Sequence, residues 1–537
     1  MNVFFRFLFL GCFSLSVFSF QSFEAVPGEY LVKVKNGMKA SFVFSETVSS
    51  DQSWKLLKLN ENKAIDQKAS LSTLLEIFKH DPAVELAEPN YIYRLIEPVD
   101  MSPAITSSFA AKESPVEPIF PVNDPLFSDL WVMPQIDALK AWLIRRSAPD
   151  IVVAVIDTGI DYGHEDLAEN IWFEEVEGEK KYGFNAITGE LDGMDDHNHG
   201  THCAGSIGAV GDNQIGVVGV AWNVEMMPVK FLSASGSGTT ADAIKSIDWA
   251  VEKGANILSN SWGGGAYSEA LKESIERSRD AGVLFIAAVG NSSQDMDSSP
   301  SYPASYDIEN VINVASISEG AYLSYFSNFG KHEVDIVAPG EDVLSTIPTN
   351  KYKKYSGTSM ATPHVAGAAA LYWAGNLSLT ATDVRSALIT SATKNSSLLI
   401  NKVANGGASL NVFNLLSGID VPGPVTVPDE EWSEEIPLII ESEHPYLANQ
   451  NKEWILEHEG AKYLKIHMAS FHTEKKYDYL KFLDRDGNEL QRLTGLQEDD
   501  LWTYQLKTSY VKIVFVSDHS VQKNGFFIDS YRWSDFD

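Results

Sequence analysis

Residues 151–156 read Ile-Val-Val-Ala-Val-Ile, an unbroken apolar run that gives way at once to Asp157-Thr158-Gly159. A strand with one wet face alternates polar and apolar residues. A strand this uniformly apolar and β-branched is buried on both faces, the condition of a parallel sheet covered by helices. Similar runs recur at 257–259, 283–288 and 311–315, with helical patterns such as 241–253 between them. Residues 122–418 therefore predict an α/β domain, a mostly parallel sheet flanked by helices.

A chain of 537 residues exceeds one core, and the flanks differ in character. Residues 1–25 carry one basic residue, Arg6, then a run of Phe, Leu and Val, then a more polar end: the layout of a cleaved export signal. Leu10-Gly11-Cys12 loosely resembles a bacterial lipoprotein cleavage site, but the apolar run continues past Cys12, so export without a lipid anchor is expected. The expected location is extracellular, at the cell surface or in a periplasm. Cys203 is then the single remaining cysteine and no internal disulfide is expected. Residues 26–98 read as a small α+β unit, with strands at 30–34 and 84–93 and a helix at 72–80. Residues 99–121, rich in Pro, Ser and Ala, read as a linker. A second linker, rich in Pro and acids, is expected at 419–437. Residues 438–537, with strand-like runs separated by turns such as Asn524-Gly525, predict an all-β sandwich. The net charge of −32 argues against binding a phosphate backbone.

Three separated stretches carry chemistry. VAVIDTGID puts Asp157 where a buried strand turns, at the sheet edge where open α/β folds bind ligands. DDHNHGTHCAG brings His199 before a glycine, with His197 and His202 beside it and His164 further back. Those histidines invite a zinc reading, yet no HExxH or spaced cysteine pair accompanies them. YSGTSMATPHVAG opens a helix at Ser359, with Pro363 expected in its first turn and small residues for close packing. A serine at a helix N-terminus lies where negative charge is favoured. Taken singly, Asp157 has the ordinary reading of a turn aspartate, and Ser359 that of a helix cap.

Together the motifs DTGID, HGTHCAG and GTSMATPHVAG resemble the signatures of the subtilisin-like serine proteases, and their order, Asp then His then Ser, is the one in which subtilisin carries its triad. The resemblance spans about half the chain. It implies a serine endopeptidase with Asp157, His199 and Ser359 as triad, and Asn291, in AAVGNSS, as oxyanion donor. It implies that Gly236, Ser237 and Gly238, with Ser261, Trp262 and Gly263, pair with an extended substrate. Ser301 would lie near the floor of the pocket for the residue before the cut, leaving room for a large apolar side chain. Cys203 resembles the buried thiol of the proteinase K and thermitase-like branches. DPAVELAEPNYIYR resembles the close of the family's inhibitory propeptide.

VNDPLF, HEDL and GDNQIGVVGVA look like the family's strong calcium site, with Asp124, Asp166, Asn213 and the carbonyls of Ile215 and Val217 as ligands. The C-terminal segment resembles a CUB domain lacking its usual cysteines, in which Glu474, Asp478 and Asp518 are candidate calcium ligands. The expected partners are protein or peptide substrates, the chain's own propeptide as inhibitor, and a protein or glycan ligand of the C-terminal module. The chain itself is expected to act as a monomer. The competing class is an inactive protease-fold scaffold or adhesin working through that module. Degenerate copies usually lose a triad member or the asparagine; all four are present here.

Overall fold

The structure, a computed structural model, describes residues 23–59, 74, 77–78, 80–96, 99–100, 105–106, 122–394, 399, 402–419, 431–474, 478–485, 487, 489–494, 501–503, 506–518 and 522–536. Residues 1–22 of the expected export signal, and most of the expected helix at 72–80, lie outside them.

The N-terminal unit centres on β1 (Ala25–Val34), flanked by β2 (Trp54–Lys58) and β3 (Val84–Leu95), both antiparallel to it. β1 takes in Ala25, where the export signal was expected to end. Strand alternation gives this sheet two apolar faces. Tyr30, Val32 and Leu57 form a small core with Leu74 and Phe78. Leu31, Trp54, Leu56, Tyr93 and Leu95 face the other way and join the core of the following domain.

That domain is built on β4 (Ser147–Asp157), α1 (His199–Gly208), β5 (Asn223–Lys230), β6 (Ser237–Thr239), α2 (Thr240–Glu252), β7 (Ile257–Asn260), β8 (Trp262–Gly263), α3 (Glu269–Asp280), β9 (Leu284–Ala288), β10 (Val311–Ile317), β11 (Ile336–Pro339), the hairpin β12 (Val343–Ile347) and β13 (Lys351–Ser356), and α4 (Thr358–Trp373). In its nine-stranded sheet β5, β4, β7, β9, β10 and β11 lie side by side in that order, all parallel. Along β4, Ile151, Val153 and Val155 belong to one core and Ala154 and Ile156 to the other, so both faces are buried as its composition demands. The order reverses at β4: β5 lies on one side of it and β7 on the other. Such a switch point opens a crevice at the strand's carboxyl end, where Asp157 stands.

α4 runs through the larger core with nearly every residue buried. Its small residues permit this: a Cβ on Gly367 would come within 2.9 Å of the Ile207 carbonyl. Pro363 is not in the first turn, as expected, but inside the helix, five residues after its start at Thr358. Its missing N–H would have bonded the Ser359 carbonyl. That carbonyl accepts instead from Ser261 Oγ at 3.0 Å and from Cys203 Sγ at 3.5 Å.

The C-terminal domain is two four-stranded sheets. One orders Ile436–Glu441, Gly525–Ser534, Tyr463–His472 and Leu501–Trp502; the other orders Asn451–Glu457, Tyr510–Val516, Tyr479–Leu483 and Glu489–Thr494. Their inner faces share one core that includes Leu464, Phe471, Phe482, Ile513 and Phe526. The first strand begins within the expected second linker, at Ile436. The expected first linker is also not featureless: Val99–Asp100 and Ile105–Thr106 pair with β13. Polar, Pro-rich composition does not prevent edge pairing where a neighbouring strand offers free backbone groups. No helix among the described residues is long and apolar enough to cross a membrane.

Candidate active site

Asp157, His199 and Ser359, far apart in the chain, are brought to one end of β4 by β4, α1 and α4. The closeness of α1 to β4 requires Gly200, where a Cβ would sit 2.1 Å from the Gly159 carbonyl oxygen. His199 Nδ1 donates to the Asp157 carboxylate, 2.8 and 3.0 Å from its two oxygens, and both residues are buried. Burial pushes the imidazole pKa down, but the Asp157 carboxylate outweighs it and holds the group well above its ordinary value. Nε2 has no hydrogen-bond partner among the described residues. Ser359 Oγ turns instead to two carbonyls, Ser261 O at 3.1 Å and Ile96 O at 3.3 Å. The pair can take a proton on Nε2, and the hydroxyl stands at the head of a helix.

Asn291 follows β9. Its Oδ1 accepts from Thr358 N at 2.9 Å and Thr358 Oγ1 at 3.0 Å, which orients the amide with Nδ2 on the opposite side. A Cβ on Gly357 would approach Nδ2 to 3.0 Å, so glycine keeps that side clear. Thr358 is thus a positioning residue that sequence reasoning did not single out.

β3 of the N-terminal unit lies in the cleft between β6 and β8, antiparallel to both. Ser237 and Gly238 pair with Arg94 and Tyr93, Trp262 and Gly263 with Leu95 and Arg94, and Gly236 O accepts from Leu95 N at 2.8 Å. These are the segments expected to pair with extended substrate. Ser261 does not pair; its hydroxyl donates to the Ser359 carbonyl and its carbonyl accepts from the Ser359 hydroxyl. Ser301 lines a cavity of about 460 Å³ together with Ile96, Gly263, Gly264, Gly290 and Asn291.

The same unit caps two helices. The Glu88 carboxylate accepts from Ser268 Oγ, Glu269 N and Ala270 N at the start of α3, and Asn90 Oδ1 from Ala241 N at the start of α2. Free N–H groups and the positive end of the helix dipole favour an acid there. Burial nevertheless pushes Glu88 up to about 7. Neither cap carries a motif, and only their fit to the partner helices shows them.

The histidine cluster has other work. His202 stacks on Tyr355 at 4.6 Å with Nε2 near two carbonyls, and burial pushes it down to about 3. Cys203, whose pKa burial raises, is a buried free thiol, Sγ 3.9 Å from His199 Nδ1.

Of the expected calcium ligands, Asp166 accepts from Asn213 Nδ2 and Val217 N, both at 2.9 Å, and Asp124 from Asp212 N at 2.9 Å. Asn213 Oδ1 accepts from Ile215 N at 2.7 Å. Asp124 Oδ1 is buried without a hydrogen-bond partner among the described residues. Burial, with each carboxylate's negative surroundings, pushes Asp124 up to about 6 and Asp166 to about 7. Two costly buried acids, one with an oxygen that no donor satisfies, are what a divalent cation would relieve. Glu474, Asp478 and Asp518 also converge, with one oxygen from each within 4.8 Å of the others.

A buried carboxylate–imidazole pair beside a helix-head serine, with an oriented amide and a cleft that binds a strand by its backbone, defines a serine endopeptidase. Residues 148–408 match the model of the subtilase family, and residues 438–530 that of the CUB domain. The chain is 39% identical to subtilisin DY of Bacillus licheniformis over 262 residues, 49% of this chain and 90% of that protein. It is 37% identical to thermitase of Thermoactinomyces vulgaris over 273 residues, 51% and 91%. It is 32% identical to the halolysin-like extracellular serine protease Nep of Natrialba magadii over 331 residues, 61% and 58%. The chain belongs to the subtilase family of serine proteases.

Proposed function

We propose that this is an exported endopeptidase in which Ser359 is the nucleophile, His199 the base, Asp157 its orienting partner and Asn291 an oxyanion donor. The Asp157–His199 hydrogen bond carries the reading: it fixes the tautomer with Nε2 free to take the serine proton. Ser359 Oγ bonds to the substrate carbonyl carbon as its proton passes to Nε2. Asn291 Nδ2 and the Ser359 N–H meet the oxyanion. The leaving amine takes the proton from His199, and water then hydrolyses the acyl-enzyme. Backbone pairing along β6 and β8 supports broad specificity, and the cavity at Ser301, which Ile96 also lines, a large residue before the cut. A fluorophosphonate reagent should abolish casein hydrolysis by the processed enzyme and appear, on peptide mapping, at Ser359. Label on another residue, or activity that survives labelling, overturns the assignment.

An inhibitory propeptide at residues 26–98 is supported by β3 filling the cleft, and export by the leader pattern and the extracellular naming of the Natrialba relative. Glu88 adds a pH dependence. Its pKa is about 7 in the complex and near 4.5 free, so the contact is fully held below about 4.5 and lost as pH rises through about 7. The lag before casein hydrolysis should therefore be shorter at pH 8.5 than at 5.5. Equal lags would refute this role for Glu88.

Asp124, Asp166 and Asn213, with the carbonyls of Ile215 and Val217, would hold a structural calcium ion, which would neutralise the two buried acids. Without it, both raised pKa values mean stability present at low pH and lost as pH rises through 6 to 7. A chelator should thus lower the melting midpoint more at pH 8 than at pH 5.5, and an unchanged midpoint at both would remove the ion. Glu474, Asp478 and Asp518 would form a second site in the CUB module, whose proposed role is to bind a protein or glycan.

A further inference from the structure

We propose that Lys230 is a positioning residue of the triad, a buried ammonium that ties the turn carrying Asp157 to the segment entering the His199 helix; the proposal rests on the Ser359 reading above. Lys230 ends β5 as Asp157 ends β4, and the two are register partners in that parallel pair. Register partners point to the same face of a sheet. A lysine at a strand end ordinarily carries its charge out to water. Lys230 is only 4% exposed.

An ammonium has three N–H donors and no acceptor. Here each donor meets a different segment: Nζ donates to the Thr158 carbonyl at 2.9 Å, to the Leu232 carbonyl at 2.7 Å and to Asp196 Oδ1 at 2.6 Å. Thr158 directly follows Asp157, Leu232 stands at the exit of β5, and Asp196 lies three residues before His199. The Asp196 side chain is half-exposed. Such an ion pair adds little stability, while burying an ammonium is costly. What the burial secures is geometry.

The tie reaches the reacting groups through Thr158. Its N–H donates to Asp157 Oδ1 at 2.7 Å, and its hydroxyl accepts from Gly200 N, next to His199, at 2.9 Å. One residue thus touches the ammonium, the triad acid and the helix of the base. The Asp157 carbonyl accepts in turn from Phe231 N and Leu232 N, both at 3.1 Å, so the exit of β5 is bonded to the acid as well. On the third arm Asp195, beside Asp196, fixes the start of α1. Its carboxylate accepts from His197 N, Asn198 N and Thr201 N, work that the N-cap side chain of Asn198 does not do. The turn before β6 is closed separately, by Gly236 N on Ser233 O and Ser233 N on Ser237 O. Without the ammonium the acid and the base would therefore lose their common anchor, and the edge that receives substrate would keep its own.

The test compares the parent with Lys230→Met and Lys230→Arg, each freed of residues 26–98 by the same immobilised protease. A fluorophosphonate counts the active sites, and kcat per site and KM are read on a chromogenic peptide beside melting curves. Lys230→Met keeps the length of the side chain but no donor. It should lower kcat per site by about ten- to a hundred-fold, the scale of a small misplacement of reacting groups, with little change in KM. Lys230→Arg returns donors and charge but cannot set one nitrogen among three acceptors, so kcat per site should settle about three- to ten-fold below the parent. A Lys230→Met enzyme that melts earlier yet keeps its parental kcat per site, or whose loss is confined to KM, overturns the proposal. If Lys230→Met does not fold, Lys230→Arg decides, and parental kcat per site in it overturns the proposal. A processed parent that the reagent does not label at Ser359 overturns the endopeptidase reading instead.

Discussion

Replacing Ser359 by alanine should lower turnover on casein by about a million-fold, the scale established for the subtilisin triad and carried over from it. The loss is that large because the hydroxyl contributes a covalent bond that no neighbour can supply. With residues 26–98 removed by an added protease, the oriented Asn291 amide and the strand-binding cleft remain, so some rate above that in water should survive. Folding should be little affected. Among the described residues Ser359 Oγ bonds only to the Ser261 and Ile96 carbonyls, and the anchors of its own backbone carbonyl are untouched. Casein assays beside melting curves separate the two effects. Parental turnover in the alanine variant would refute the assignment.

Asp157→Asn should cost about four orders of magnitude, again on the scale of measured triads. Both Asp157 oxygens lie within 3.0 Å of His199 Nδ1, and one also accepts from Thr158 N at 2.7 Å. Asparagine keeps the shape but brings an N–H donor and removes the charge, so the imidazole favours the wrong tautomer. The charge has a second signature. Since burial lowers the His199 pKa and Asp157 raises it, the variant's acid limb of kcat/KM should move to lower pH. Hydrolysis of a chromogenic peptide across pH measures both. A loss below ten-fold, or an acid limb that stays in place, would show that Asp157 does not orient this base.

Much of this was legible in the sequence because it depends on local pattern. The apolar run at 151–156 predicted a doubly buried strand, and that strand ends at Asp157 at the switch point of the sheet. The resemblance to the subtilisin-like proteases marked 236–238 and 261–263 as segments that receive a strand, and β3 pairs with Ser237, Gly238, Trp262 and Gly263. What the sequence could not disclose was which strand, since pairing between residues about 150 apart leaves no local trace. The capping by Glu88 and Asn90 was hidden for the same reason. Pro363 misled because proline is commonest in the first turn of helices, whereas here tertiary partners compensate for it deeper in. The short strands at 99–100 and 105–106 were missed because their composition is that of a linker and only the edge of β13 makes them extended.

The broken rung beneath Ser359 bears on when the catalyst comes into being. Because Pro363 cannot close that rung, the serine's main chain is held by Ser261, between β7 and β8, and by Cys203 from the histidine helix. A half-folded chain could wind this helix and still lack an aimed hydroxyl. The position of Ser359 therefore depends on the docking of all three elements, not on the helix alone.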